Sequence, residues 1–217
     1  QEVNKAQIRN GAIRDYSAEV VSKSRTNNVI CKVGNRGEDK NLIRDNLKVY
    51  HVWNAMLQRC YNPRTEYIRR NYKDCQVSEP FKHFPTFLNW WKLQSTDENV
   101  EYQLDKDILV KGNRLYSEDT CVLVPRDINM LLIKRDKARG ELPIGVTYCK
   151  KNKKYKAQFS KYNVITALGL FDKVIDAFLA YKQAKEAYIK EVANKYKNVI
   201  DIRVYDVLMK YEVSIDD

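Results

Sequence analysis

The sequence predicts an α+β fold built from two modules, and three observations indicate it. The chain has 217 residues, of which 44% are hydrophobic, enough for one compact domain and a smaller one. Its central part reads as strand, loop, strand, helix, and its C-terminal part reads as three short strands followed by one long helix. We therefore expect an N-terminal hairpin and helices around a central hairpin, then a three-stranded antiparallel sheet packed on one long helix.

The N-terminal region, residues 1–48, is expected to form a β-hairpin. Two β-prone runs, at 18–22 and 29–33, are separated by a pair of asparagines. The glycine-rich segment 34–37 then breaks the strand pattern.

Two helices are predicted at the start of the next module, which spans residues 49–133. The first covers 49–61 and is stopped by Asn62-Pro63, and the second begins near Pro85, because proline fits the first turn of a helix. Their inward-facing residues are Tyr50, Trp53, Leu57, Cys60, Phe84, Phe87, Leu88 and Trp91.

Arginines follow the first helix and are interleaved with tyrosines. Arg59, Arg69 and Arg70 are candidates for holding a phosphate backbone. The other interpretation is that these arginines are simply solvated, and for the tyrosines we favour a core position. The two histidines, His51 and His83, are expected at the surface and at a packing or capping position.

The central segment, 102–133, contains the second informative pattern. A strand over 102–107 leads through a loop at Gly112-Asn113 to a strand over 116–124, and Pro125 opens a short helix. A charged linker, 134–143, follows, and its Lys134 and Arg135 are predicted to track phosphates.

The C-terminal module, residues 144–217, is predicted to present one covered and one open sheet face. Tyr155, Ala157 and Phe159 alternate with polar residues on the middle strand, and the long helix carries a matching apolar stripe. Asp172 is predicted to cap that helix, and Asp201 to cap a last helix. Segment 145–163 holds six lysines and no acid, so the open face is a candidate DNA surface, with a merely solvated face as the alternative. Its DNA-binding candidates are Lys150, Lys151, Lys153, Lys154, Lys156, Gln158 and Lys161.

Composition favours a polyanionic partner. The formal net charge is +11, which is typical of proteins that bind nucleic acid. No run of 18 apolar residues exists, so no membrane partner is expected. The five cysteines are an odd number without a Cys-x-x-Cys pair, which favours reduced thiols in a cytoplasm and gives no reason to expect zinc.

The C-terminal module resembles the APETALA/ethylene-response-factor DNA-binding domain. Four landmarks carry the resemblance: Gly145-Val146, the strand at 154–157, the segment at 168–171, and Ala177 with Ala180-Tyr181. The resemblance implies duplex DNA as the partner, although this copy lacks the arginines and tryptophans with which plant members read bases. RNA is not expected, because the aromatic residues of the sheet alternate toward the helix side.

The central segment is similar to phage homing endonucleases of the HNH type, whose site is a ββα-metal hairpin. The residues that carry this resemblance are Tyr50, Trp53, Met56, Cys60-Tyr61-Asn62-Pro63, Leu104-Asp105 and Tyr116-Ser117. It implies a divalent cation such as Mg²⁺, a metal-binding carboxylate and a general base. Lys106 stands where the family has its catalytic histidine, and Thr120 stands where it has a second ligand. The alternative is that folding brings His51 or His83 close to the hairpin to serve as the missing base.

The resemblance assigns the candidate site accordingly. Asp105, Lys106 and Asn113 are the catalytic candidates, and Asp105, Asp107 and Asp119 are the metal ligands. We predict a duplex DNA-binding protein of this endonuclease type with metal-dependent cleavage, encoded by a phage and acting in the bacterial cytoplasm. The alternative is a catalytically degenerate DNA-binding protein that acts as a regulator or as a phage factor against the host.

Overall fold

A computed structural model describes residues 29–95, 97–132, 141–161 and 164–215. The expected strand at 18–22 and the linker residues Lys134 and Arg135 lie outside these ranges. In chain order the elements are β1 (Val29–Ile30), β2 (Gly34–Asn35), α1 (Lys40–Asp45), α2 (Leu47–Tyr61), α3 (Glu66–Asn71), β3 (Gln76–Val77), α4 (Glu79–Lys82), α5 (Phe84–Gln94), β4 (Tyr102–Asp105), β5 (Leu115–Tyr116), β6 (Val122–Pro125), α6 (Arg126–Leu131), β7 (Val146–Cys149), β8 (Lys154–Lys161), β9 (Val164–Phe171), α7 (Val174–Lys195) and α8 (Ile202–Met209). The α+β class is confirmed.

The chain divides into two compact units, and the division differs from the predicted one. Unit 1 comprises Gln1–Leu93 and Gly112–Cys121, and unit 2 comprises Gln94–Lys111 and Val122–Asp217. The predicted module 49–133 is therefore shared between the two units.

Unit 1 contains a hairpin formed by part of the second expected run and the segment that follows it. β1 pairs antiparallel with β2, the segment that its glycine had marked as a break. A Cβ atom at Gly34 would collide with the side chain of Leu57, so glycine is what allows this strand to lie against α2.

Aromatic side chains form the core of unit 1, and they include residues predicted to face inward from the two helices. Trp53 is fully buried on α2, and its indole nitrogen donates a hydrogen bond to the carbonyl oxygen of Phe81 at 2.7 Å. The Tyr50 ring meets the Phe84 ring edge-on, with centroids 5.2 Å apart. α2 ends at Tyr61, with Asn62 as its C-cap, so the predicted stop is confirmed.

The central strands divide between the units, which corrects the single strand predicted over 116–124. β5 pairs in parallel with β3 in unit 1, whereas β6 pairs antiparallel with β4 in unit 2. The break lies in a turn where the Ser117 and Thr120 hydroxyls are 2.9 Å apart and the Cys121 N–H bonds to the Ser117 carbonyl. These local bonds compete with the extended ladder.

Unit 2 contains the predicted three-stranded antiparallel sheet, in the order β7-β8-β9, packed on α7. Ala157 and Phe159 are buried together with Phe178 and Tyr181 of α7, so the predicted strand alternation and helix stripe are confirmed. The helix cap is a correction. Lys173 is the N-cap residue, and a lysine side chain has no oxygen that could accept the free N–H groups of the first turn. The Asp172 carboxylate, one residue earlier, pairs with Lys154 at 3.2 Å.

The core of unit 2 also includes residues from the central segment. Ile108, Val122, Val124, Ile128 and Leu131 belong to the same hydrophobic cluster as the sheet and α7. α8 completes this core with Val204 and Leu208, and the Asp201 carboxylate caps it by accepting the Arg203 N–H at 2.8 Å, as predicted. The residues from 144 onward therefore do not build this core by themselves.

Candidate nucleic-acid interface

The open face of the sheet is the surface that α7 leaves uncovered. Because side chains alternate along a strand, the neighbours of buried Ala157 and Phe159 point away from the helix. The cross-strand register extends this face to β7 and β9. The open face consists of Thr147, Cys149, Lys154, Lys156, Gln158, Ser160, Ile165, Ala167 and Leu170.

A β-bulge decides which residues of β9 reach the open face. The register shifts between Ala157, which pairs with Gly169, and Gln158, which pairs with Ala167. Leu168 is the extra residue, and Gly169 has a positive φ of 150°. Ala167 and Leu170 therefore share one face although they are three residues apart. The sequence interpretation missed this contribution, and the glycine inside a strand was the signal.

Five of the predicted lysines gather at one end of the open face. Lys150, Lys151 and Lys153 are exposed in the turn between β7 and β8, and Lys153 adopts a left-handed φ of 51°. Lys154 and Lys156 follow on β8, where the first pairs with exposed Asp172 and the second stands opposite Leu170. Positive charge is thus concentrated beside the exposed strand surface.

Lys161 does not belong to this group. It has the same strand parity as Phe159, and its ammonium nitrogen lies 2.6 Å from a carboxylate oxygen of Glu191 on α7. The same nitrogen lies 5.4 Å from the centroid of the Tyr188 ring. The structure therefore places Lys161 on the helix side of the sheet and engages its charge there.

Gln158 occupies the centre of the open face. Its backbone N–H donates to the Gly145 carbonyl at 2.9 Å, which fixes its position on β8. Gln158 is partly buried, and its side-chain amide makes no hydrogen bond with any part of the chain that the structure describes. The amide is thus available to an external partner.

Gly145 holds the first strand against the helix. Its φ is +77°, and a Cβ atom there would enter the ring of Tyr181. Two of the sequence landmarks in the C-terminal resemblance, Gly145 and Tyr181, are therefore a packing pair rather than interface residues.

In the predicted catalytic hairpin, the side chains of Asp105 and Lys106 make contacts within their own turn. One oxygen of the Asp105 carboxylate accepts the N–H groups of Asp107 and Ile108 at 2.7 and 2.8 Å, which closes a tight turn after β4. The side chain of Lys106 is only 8% exposed, and its ammonium nitrogen lies 2.7 and 2.8 Å from the two Asp107 oxygens. Both groups thus hold the turn together.

The other candidates of that site lie in unit 1. Asn113 exchanges hydrogen bonds with the backbone of Leu115 at 2.6 and 3.0 Å, and Thr120 donates to the same Leu115 carbonyl at 2.8 Å. Asp119 also belongs to unit 1, whereas Asp105 and Asp107 belong to unit 2. Within the described ranges, no group of three or more His, Cys, Asp or Glu residues could hold a metal ion.

Arg59 is part of the packing in unit 1. Its guanidinium carbon lies 5.3 Å from the ring centroid of Tyr72 and 5.9 Å from that of Tyr116. Burial raises the pKa of the Tyr116 hydroxyl, so this phenol stays neutral beneath the cation. Arg69 and Arg70 are exposed, but both lie near Glu66, at 2.7 and 3.9 Å. These three arginines therefore offer less free charge than the lysines of the sheet.

The two histidines lie where they were expected: His51 is exposed at the surface, and His83 is the C-cap residue of α4. None of the five cysteines, which all lie in the described ranges, forms a disulfide. No helix in the described part of the chain is long and apolar enough to cross a membrane.

Comparisons with known proteins give no relatives. No protein-family model matches the chain, and neither a curated protein nor a solved structure matches it. The two family resemblances stay predictions.

Proposed function

We propose that the protein binds duplex DNA by placing the open face of its sheet in the major groove. The observation that carries this proposal is the lysine cluster at one end of that face, formed by Lys150, Lys151, Lys153, Lys154 and Lys156. Asp172 is the one acidic partner that these lysines have in the described part of the chain. Counterion release from phosphates then supplies affinity.

The dimensions of the sheet suit the major groove. Neighbouring strands are about 4.8 Å apart, so three strands span about 10 Å between the outer backbones, and the groove is about 12 Å wide. The A-form major groove of RNA is too narrow for such an element. The open face carries no aromatic side chain among its described residues, so it offers no stacking surface for single strands.

The local chemistry at Asp105 favours binding without cleavage. A general base needs a free lone pair to accept a proton, but the Lys106 side-chain nitrogen donates hydrogen bonds to both oxygens of the Asp107 carboxylate. HNH-type cleavage with Mg²⁺ stays a prediction from resemblance. The catalytically degenerate alternative, a regulator or a factor directed against a host, is the version that we propose.

A salt titration with matched lysine variants tests the proposal. The wild type is titrated against a short fluorescent DNA duplex at increasing salt, and binding is followed by anisotropy. Because Lys161 is engaged elsewhere, we expect about four or five phosphate contacts and a log–log slope of about −4. Lys156→Ala should reduce the slope by about 1, whereas Lys190→Ala, on the exposed side of the helix behind the sheet, should leave it unchanged. Equal effects of the two variants, or no duplex binding at low salt, would refute the proposal.

A further inference from the structure

We infer that the open face discriminates in favour of A·T base pairs, through Gln158 and the apolar side chains of β9. This inference rests on the proposed function, since it concerns what the same face reads once it lies in the groove. It names a target class, A·T-rich duplex DNA, and the residues that select it.

Gln158 supplies the hydrogen-bonding part of the discrimination. A glutamine amide carries one acceptor and two donors, and adenine presents an acceptor at N7 and a donor at N6 in the major groove. Guanine presents two acceptors there, so the same amide cannot satisfy both of its atoms in a bidentate contact. The free Gln158 amide at the centre of the face therefore suits adenine.

The residues beside Gln158 on β9 supply the apolar part. Ala167 lies directly opposite Gln158 and is exposed. Ile165 and Leu170 flank it on the same face, with 70% and 42% of their surfaces exposed. Thymine is the one base with a methyl group in the major groove, and apolar side chains recognise it by contact. The β9 bulge is what brings Ala167 and Leu170 to one face.

The composition of the face also disfavours the usual guanine contact. Guanine is most often read by an arginine fork or a lysine at O6 and N7, and no arginine stands on the open face as described. Lys154 is paired with Asp172, and Lys156 adjoins the lysine turn. A lysine ammonium is a point charge that does not impose a planar bidentate geometry. We therefore expect the Lys156 ammonium to contact a phosphate group and the Gln158 amide to contact a base.

The first test compares two duplexes of equal length at one salt concentration. One has a mixed, alternating A·T core and the other a G·C core, and A-tracts are avoided because their narrow minor groove would confound the comparison. The wild type should bind the A·T duplex about tenfold more tightly. Gln158→Ala should bring the two affinities together, and Gln158→Glu should move the preference toward C·G, because a carboxylate accepts from cytosine N4. Lys156→Ala is the matched control and should weaken both complexes by the same factor.

The second test alters single atoms of the DNA. Replacing adenine by 7-deazaadenine removes the N7 acceptor, and replacing thymine by uracil removes the methyl group, while both leave the minor groove intact. The 7-deazaadenine duplex should bind the wild type several-fold more weakly than the unmodified duplex, whereas Gln158→Ala should bind both duplexes equally. The second should weaken wild-type binding and leave Ile165→Ser little affected.

The outcomes separate the inference from the proposed function. Equal affinity for both duplexes with a steep salt slope would overturn the A·T assignment and leave duplex binding standing. Indifference to both base analogues would overturn it as well. Absence of any duplex binding would overturn both.

Discussion

The phenolic oxygen of Tyr196 lies 2.6 Å from a carboxylate oxygen of Asp127, to which it donates a hydrogen bond. Tyr196 is the C-cap of α7, and Asp127 stands in the first turn of α6. The neighbouring Lys195 ammonium lies 3.2 Å from the same oxygen. This contact ties the helix that follows the central hairpin to the helix that supports the three-stranded sheet.

Low pH should weaken the contact of Asp127 with Tyr196 and Lys195. The hydrogen bond from Tyr196, assisted by Lys195, lowers the pKa of the Asp127 carboxyl in the folded state. Its contribution is therefore complete above the unfolded pKa of about 3.9 and is lost as pH falls through the lower folded value. Asp127→Asn should cost less than about 1 kcal/mol at neutral pH, because the side chain is half exposed.

The difference between Asp127→Asn and the wild type should shrink below about pH 4. Urea denaturation at a series of pH values, followed by far-UV circular dichroism, measures it. Asp206→Asn is the control, since the exposed Asp206 carboxylate has no partner among the described residues. A deficit in Asp127→Asn that stays constant down to low pH would contradict this assignment.

Ile128→Ala should destabilise the sheet although it lies outside the predicted C-terminal module. Ile128 is fully buried in the unit 2 core, and truncating such a side chain costs about 2–4 kcal/mol. Hydrogen exchange of the β8 amides should accelerate accordingly. Met130→Ala on the same helix is the control, because Met130 is 44% exposed. Unchanged exchange in β8 would show that residues from 144 onward form their own core.

Gly145→Ala should be much more damaging than Gly112→Ala. The two glycines have nearly the same φ, +77° and +76°, so both variants carry a backbone strain of about 1–2 kcal/mol. A Cβ at position 112 meets nothing within 4 Å, whereas one at position 145 enters the Tyr181 ring. Because the backbone strain is common to both, the difference between the two variants in thermal unfolding measures the cost of the clash with the Tyr181 ring. Equal losses of stability would mean that Tyr181 moves aside at no cost.

Asp105→Ala should act on stability rather than on catalysis. It removes an oxygen that accepts two backbone N–H groups, at a cost of about 1–2 kcal/mol, and Asp105→Asn should restore most of this because an amide oxygen remains. We expect no cleavage of supercoiled plasmid by the wild type with Mg²⁺ or Mn²⁺. If the wild type cuts and both variants do not, the HNH interpretation is right. Lys106→His then tests whether an imidazole at that position raises activity.

Local patterns predicted the parts of the fold that depend on neighbouring residues. The β8 alternation, the α7 stripe, the end of α2 at Asn62 and the Asp201 cap all follow from residues near one another in the sequence. The pairing of β5 with β3 joins positions about forty residues apart, so no local pattern could reveal it.

Local sequence patterns likewise predicted only part of the candidate site. The lysine cluster and Gln158 were predictable from composition and alternation. Lys161 was wrongly counted with them, although the same alternation puts it on the side of Phe159, which faces the helix. The contribution of β9 was hidden, because a bulge changes strand parity and only Gly169 marks it. Asp172 was misassigned as a cap because its partner, Lys154, lies 18 residues earlier in the sequence, on β8.

Thiol trapping on DNA tests the central claim most directly. Cys149 stands at the end of β7 on the open face, paired with Lys154 across the strands. A duplex whose major-groove tether ends in a disulfide with a small thiol should form a mixed disulfide with the wild type: the Cys149 thiolate attacks the tether sulfur, and the small thiol leaves. We expect this product to disappear in Cys149→Ser, to persist in Cys31→Ser, and to be weak when the tether projects into the minor groove. Undiminished trapping by Cys149→Ser, or equal trapping from the minor groove, would contradict the placement of the open face in the major groove.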